Sequence, residues 1–219
     1  MKVVITCGPS FEPVDEVRRL TNHSTGQTGA VLANRLARSG ADVTCFRGAG
    51  ATDPTPMESA KVVAFTTNDD LRAKLRAMAG REGVAAVFHA AALCDYRVGR
   101  ITSATGWVTG GAKIPSNAGG LTLQLEPATK LLPELRQLFP KAKIVGWKYE
   151  LSGSRDEAVA KGLQQIKQGH ADACVVNGAA FGEGLGLLRN DVPMVHCTTK
   201  LVLAEQLARW IAHAARVGS

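Results

Sequence analysis

Aromatic residues are scarce: three Trp, two Tyr and six Phe in 219 residues. No run of three or more Lys or Arg occurs either, and the basic residues are spread along the whole chain. With few rings to stack bases and no concentrated cation stripe, a nucleic-acid-binding module is disfavoured. The formal net charge of +7 then points to a small anionic substrate such as a phosphorylated metabolite. Long apolar runs are also lacking. The run Val84–Ala92, interrupted by His89, falls far short of a bilayer span. The N-terminus enters the strand-like Lys2-Val3-Val4-Ile5-Thr6 without the layout of a secretory signal. The expectation is a soluble, cytoplasmic protein with no membrane partner.

The five cysteines (Cys7, Cys45, Cys94, Cys174, Cys197) are odd in number and never in a Cys-x-x-Cys pair. That spacing argues against a zinc site and a disulfide framework, and reads as small core hydrophobes. Two nucleotide fingerprints are missing too. No Gly-x-Gly-x-x-Gly follows the first strand, and Gly-x-x-x-x-Gly-Lys-[Ser/Thr] occurs nowhere. Tyr96 and Tyr149 are followed four positions on by Arg100 and Gly153, so the Tyr-x-x-x-Lys pair of short-chain dehydrogenases is absent. A plain nicotinamide-dependent reductase is therefore disfavoured.

What is present is alternation. Strand-like runs (Val3–Thr6, Asp42–Arg47, Val62–Phe65, Ala85–Ala91, Lys143–Trp147, Asp172–Val176, Met194–Cys197) are interleaved with helical stretches (Gly26–Ser39, Asn68–Ala79, Lys130–Leu138, Ser154–Gln168, Thr199–Ala215). Several strands are apolar on both faces, as in a parallel sheet covered by helices. The pattern predicts a single domain over residues 1–219 with a doubly wound, mostly parallel Rossmann-like sheet and helices on both faces. Leu121-Thr-Leu-Gln-Leu instead alternates strictly, which predicts a half-exposed edge strand or arm near residues 107–125. The segment from Thr109 to Gly120 holds four glycines, one proline and one charge, and is expected to be a mobile loop that packs no core.

Ligands of open α/β sheets sit at the carboxyl ends of strands. The first strand ends in Cys7-Gly8-Pro9-Ser10, and Asn22-His23-Ser24-Thr25-Gly26-Gln27-Thr28-Gly29 opens the first long helix. A helix N-terminus there offers free N–H groups and partial positive charge for a phosphate, with Ser24 and Thr25 as hydroxyl donors. Gly26 and Gly29 allow close approach. The alternative is that Ser24 or Thr25 only caps the helix and Gly29 only lets it pack on the sheet.

The stretch Ile5-Thr-Cys-Gly-Pro-Ser-Phe-Glu-Pro-Val-Asp-Glu-Val-Arg-Arg-Leu-Thr-Asn-His-Ser-Thr-Gly26 resembles the opening of phosphopantothenoylcysteine synthetases (phosphopantothenate–cysteine ligases). That family reads roughly Thr-x-Gly-Pro/Gly-Thr-x-Glu-Pro-Ile-Asp-x-Val-Arg-x-Ile-x-Asn-x-Ser-Ser/Thr-Gly. Later segments are similar to its motifs in the same order: Ala90-Ala-Ala-Leu-Cys-Asp95-Tyr96, Val145-Gly-Trp-Lys-Tyr-Glu150, Asp172-Ala-Cys-Val-Val-Asn177, and Thr199-Lys200 at the closing helix. The resemblance implies a ligase of coenzyme A biosynthesis that joins 4'-phosphopantothenate to cysteine through an acyl nucleotide. It uses CTP or ATP with Mg²⁺, acts as a homodimer, and is here a stand-alone form without a flavin-dependent decarboxylase, so that no flavin is implied.

By the same resemblance, Asn22 handles the acyl-nucleotide intermediate, and Lys113 assists catalysis from a flexible loop. The family's Lys-Ile-Lys-Lys is here Lys113-Ile114-Pro115-Ser116, two basic residues short. Gly8, Ala90, Ala91, Gly146 and Trp147 align with segments at the nucleotide, and Lys167 with a triphosphate-binding lysine. Asp95 matches an aspartate that holds either a ribose hydroxyl or the metal. A diverged relative with altered or lost activity is the rival that the shortened basic loop supports.

Overall fold

The computed structural model describes residues 1–57, 59–103, 106–108, 113–117, 119–190 and 192–217. Strand β1 (Lys2–Pro9) is buried at every residue after Lys2, so it needs a partner on each edge and a helix layer on each face. It pairs in parallel with β4 (Asp42–Gly48) on one edge and β6 (Val84–Ala92) on the other. Outward from β4 lies β5 (Ala60–Phe65). Outward from β6 lie β10 (Lys143–Tyr149) and β11 (Ala173–Asn177), all parallel. Numbered by order along the chain, these six strands stand 3-2-1-4-5-6, the order of dinucleotide-binding folds. Two antiparallel strands, β12 (Leu185–Arg189) and β13 (Val192–Cys197), extend the β11 edge.

Helices cover both faces. Helices α1 (Gln27–Arg38) and α5 (Lys200–Val217) lie on one, where Leu32, Leu36, Leu203 and Leu207 pack against Ile5, Phe88 and Val145. Helices α2 (Asn68–Ala77) and α3 (Leu132–Leu138) lie on the other, with Leu71, Leu75, Leu135 and Phe139 against Val4, Val87 and Ile144. Helix α4 (Arg155–Gln168) seats Ala158 and Ile166 on Cys174, Val176 and Leu188. It starts at a capping box between Ser154 and Glu157, which satisfies two otherwise orphan N–H groups. All five cysteines are free and buried. No helix among the described residues is long and apolar enough to cross a membrane.

The sequence pattern misses the small elements. A hairpin of β2 (Phe11–Pro13) and β3 (Arg19–Thr21) leaves the end of β1. A separate antiparallel sheet joins β7 (Tyr96–Ser103), β8 (Gly106–Val108) and β9 (Leu121–Pro127). The predicted half-exposed arm is β9, at an edge of that sheet: Leu121 and Leu125 are exposed and Leu123 half-buried. The loop expected to pack nothing does pack. Residues 109–112 and 118 lie outside the described residues, but Ile114 is buried against Val14 and Ile101.

Helix α1 lies tightly on β1 because residue 29 has no side chain. A Cβ on Gly29 would stand 2.2 Å from Cys7 Cβ and 2.7 Å from Cys7 Sγ. Gly29→Ala is therefore expected to lower unfolding stability by about 1–3 kcal/mol, the usual cost of overpacking. Urea unfolding of the two proteins checks this, and a loss below about 0.5 kcal/mol, the scatter of neutral substitutions, would show that the helix can slide away.

Candidate functional site

The strand order reverses between β1 and β6, and the N-terminus of α1 stands at the carboxyl end of β1, where Gly26 approaches Gly8. Gly8 (φ +78°) and Gly26 (φ +80°) both adopt the left-handed region, which glycine enters at no steric cost. Ala51 fills the space each leaves, its Cβ 2.8 Å from a Cβ built on Gly8 and 3.0 Å from one built on Gly26. The loop after β4 thus closes over the helix start, and Asp53 N–H donates to Thr25 C=O at 2.9 Å.

Gly26 caps α1 with no side-chain hydrogen bond, and the first turn carries no acidic residue. The N–H groups and positive dipole end stay available to an anion. Thr25 Oγ1 accepts a long 3.3 Å bond from Gln27 N–H. Gly26, and not Ser24 or Thr25, is thus the N-cap residue, with Thr25 adding one weak bond to the first turn, and the close approach of Gly29 to Cys7 fits the packing reading of that glycine.

Two cavities meet here, and Ser24 and Thr25 line both. The smaller, about 70 Å³, lies between Cys7, Gly26, Gly29, Ala90 and Trp147. The indole Nε1 of Trp147 is buried and has no hydrogen-bond partner among the described residues, so a donor is left for a ligand oxygen or ring nitrogen. The larger, about 300 Å³, opens between Phe11, Arg19, Asn22, His23, Gly50 and Thr52. Asn22 Nδ2 donates to Leu93 C=O at 2.9 Å, which ties the cavity wall to the end of β6. Cys94 N–H donates to Ser10 Oγ at 2.8 Å, and Asn68 Nδ2 to Cys94 C=O at 2.8 Å. The segment after β6 is thereby held from three sides.

The structure brings Gly8, Asn22, Ser24, Thr25, Gly26, Gly29, Ala90 and Trp147 together at this crevice. Ala91 stands in register with Gly8 but turns to the α2–α3 layer. Gly146 sits in the sheet opposite His89, where a Cβ would meet Gln165 Nε2 at 2.5 Å, so its small size serves the packing of α4. Asp95 is exposed and ion-paired with Lys130. Among the described residues no three His, Cys, Asp or Glu side chains gather to hold a metal. Lys167 lies in the last turn of α4, at the amino end of the sheet and away from the crevice.

Lys113 is exposed, next to the anchored Ile114. That anchor is polar as well as apolar. Asp15 Oδ2 accepts from Ile114 N–H at 3.1 Å, Asp15 Oδ1 from the N–H groups of Val17 and Arg18, and Arg18 donates to Ile114 C=O at 3.1 Å. Burial works to raise the Asp15 pKa, but these N–H groups and the Arg18 guanidinium outweigh it and bring it down to about 2. His89, whose Nδ1 lies 2.7 Å from Thr6 Oγ1, is held down to about 4 by burial and is neutral at pH 7. It points to the α2–α3 face, opposite Ala90.

Phe11, Arg19, His23, Gly50 and Thr52 were not identified as site residues from sequence. The motif contains the first three without marking them, and Gly50 and Thr52 lie between two expected strands with no motif around them.

A profile described as the DNA/pantothenate metabolism flavoprotein C-terminal domain matches residues 1–214. The coenzyme A biosynthesis bifunctional protein CoaBC of Thermococcus kodakarensis is 29% identical over 211 residues, covering 94% of this chain and 49% of that protein. The chain spans about half the length of the curated relatives it matches. The DNA/pantothenate metabolism flavoprotein of Streptococcus pneumoniae has a similar structure (TM-score 0.82, 22% identity, 98% of this chain and 99% of that one). So does a Cab2 H337A mutant in complex with phosphopantothenate-cysteine (TM-score 0.72, 17% identity, 98% and 88%).

The Asp15 anchor carries a pH signature. Its folded pKa of about 2 lies below the unfolded value of roughly 3.9, so its contribution to stability is complete above pH ~4 and is lost as pH falls toward 2. The melting-temperature gap between wild type and Asp15→Asn is expected to be constant from pH 5 to 7 and to narrow below pH ~4. A gap independent of pH would show that Asp15 does not hold Ile114 as a carboxylate.

Proposed function

The chain belongs to the DNA/pantothenate metabolism flavoprotein C-terminal domain family, and on that premise we propose that it is a ligase joining 4'-phosphopantothenate to cysteine with CTP or ATP. The observation that carries the reading is the pair of cavities sharing Ser24 and Thr25. One takes the acyl substrate and the other the nucleotide, and the shared rim is where carboxylate and α-phosphate meet. The Cab2 complex supports this choice of substrate.

In the proposed sequence the substrate carboxylate attacks the α-phosphate. A P–O bond forms to the acyl oxygen, the bond to the β-phosphate oxygen breaks, and pyrophosphate leaves. The N–H groups of the α1 first turn and the Ser24 hydroxyl stabilise the phosphate charge. The amine of cysteine then attacks the acyl carbon. The C–O bond to the nucleotide breaks, the nucleoside monophosphate leaves, and the amine loses its proton as the amide forms.

Asn22, already oriented by its bond to Leu93 C=O, positions the acyl intermediate. The Trp147 N–H and the backbone at Gly8 and Ala90 receive the nucleotide. Lys113 brings its ammonium to the triphosphate from the segment anchored at Ile114. Mg²⁺ draws most of its ligands from phosphate and water, so the lone Asp95 carboxylate fits such an ion once it gives up Lys130. The metal would neutralise phosphate charge. Leu121 and Leu125, exposed on β9, support a homodimer packed on that arm.

With Mg²⁺ present, pyrophosphate release is expected only when phosphopantothenate and a triphosphate are both added. Lys113→Gln should lower turnover about 10²–10³-fold while nucleotide affinity changes far less, as for a donor acting mainly in the transition state. Equal pyrophosphate release without phosphopantothenate would contradict the ligase reading. Turnover of the variant within about threefold of wild type, well inside the effect of a lost electrostatic donor, would remove Lys113 from it.

A further inference from the structure

We propose that Arg19 binds the terminal phosphate monoester of the acyl substrate and makes the site select phosphopantothenate over pantothenate. This deepens the ligase reading and rests on it for the identity of the substrate. Two arginines follow each other in the hairpin and meet opposite fates. Arg18 is bound to Asp15 and to Ile114 C=O and serves the arm. Arg19, one residue on in an extended chain, projects the other way. It lines the larger cavity, and among the described residues no carboxylate pairs with it.

Its Cζ lies 4.8 Å from the ring centroid of Phe11, which lines the same cavity. This cation–π contact holds the guanidinium beside the ring without using its N–H donors in a hydrogen bond. Those donors form the fork that grips a phosphate with two parallel hydrogen bonds. An unpaired cation fixed over an aromatic ring inside a concave site, with His23 on the same wall, is a receptor for an anion.

Position decides which anion. Arg19–Thr21 is strand β3 and Asn22 follows it directly. At roughly 3.3 Å per extended residue, the three steps from Arg19 to Asn22 reach at most about 10 Å along the chain. An extended phosphopantothenate, nine bonds from phosphorus to carboxylate carbon, is of comparable length. A phosphate at Arg19 therefore sets the carboxylate near Asn22, at the rim shared with the nucleotide cavity. The nucleotide phosphates belong to the other side of that rim, at the first turn of α1.

The test is calorimetric binding of phosphopantothenate, pantothenate and the non-reacting triphosphate analogue to wild type, Arg19→Gln and Arg19→Lys, with pyrophosphate release measured separately. Arg19 is exposed, so the fold should survive, and circular dichroism verifies this. Arg19→Gln is expected to weaken phosphopantothenate binding roughly 10–100-fold, the effect of losing charged hydrogen bonds. Pantothenate and analogue binding should stay within about twofold, and Arg19→Lys should fall between, since a point charge replaces the fork. Equal weakening of phosphopantothenate and pantothenate, or weakening of the analogue alone, would overturn the proposal. Selective loss of phosphopantothenate binding in Arg19→Gln, with no pyrophosphate released by wild type, would leave Arg19 in its role and remove the ligase reading instead.

Discussion

Strand β1 must be paired on both edges and covered on both faces, because all but its first residue is buried. The chain meets this by leaving β1 through α1 toward β4 and returning later through α2 to β6 on the other edge. The two connections cross opposite faces and cannot both close over the carboxyl end of β1. A crevice remains there as a consequence of topology. The contact of Gly29 with Cys7 and the left-handed Gly8 and Gly26 then bring the first turn of α1 down to its edge. The positive end of a helix and a row of strand termini are thus set beside each other before any side chain is chosen for chemistry.

The β2–β3 hairpin is inserted where β1 would otherwise run into α1, and its two faces serve different neighbours. Arg19 and Asn22 turn to the larger cavity. Asp15 and Arg18 turn to the arm and hold Ile114 through two hydrogen bonds, while their own ion pair and the N–H groups of Val17 and Arg18 fix the Asp15 carboxylate. The segment bearing Lys113 is in this way tied to the same hairpin that walls the site.

The large elements were legible because period and burial agree. The central parallel strands β1, β6, β10 and β11 are largely buried, and the helix bounds expected from sequence agree with the observed ones to within two residues. The hairpin was not, since three-residue strands bounded by Pro13 and charged residues carry no period. Strand β7 was hidden by Arg97 and Arg100 and by the register shift between Val98 and Arg100. Strand β12 was hidden by the glycines before it. In the site, the glycine-bearing turn that opens α1 was legible from glycine and hydroxyl spacing. The direction of Arg19 was not, because only the hairpin's pairing decides which of two adjacent arginines faces the cavity. The anchoring of Ile114 depends on Asp15, 99 residues earlier, a contact that no local pattern announces. The place of Lys167 at the far end of α4 follows from helix length, which weighs more than its nearness in sequence to the Asp172–Asn177 segment.

The paired cavities are proposed to activate a carboxylate as an acyl nucleotide. The most direct measurement is a single turnover with phosphopantothenate carrying ¹⁸O in its carboxylate, followed by mass analysis of the released nucleotide and pyrophosphate. The account predicts an ¹⁸O atom in the nucleoside monophosphate and none in the pyrophosphate. Label appearing in pyrophosphate or in orthophosphate, with an unlabelled nucleotide, would contradict it.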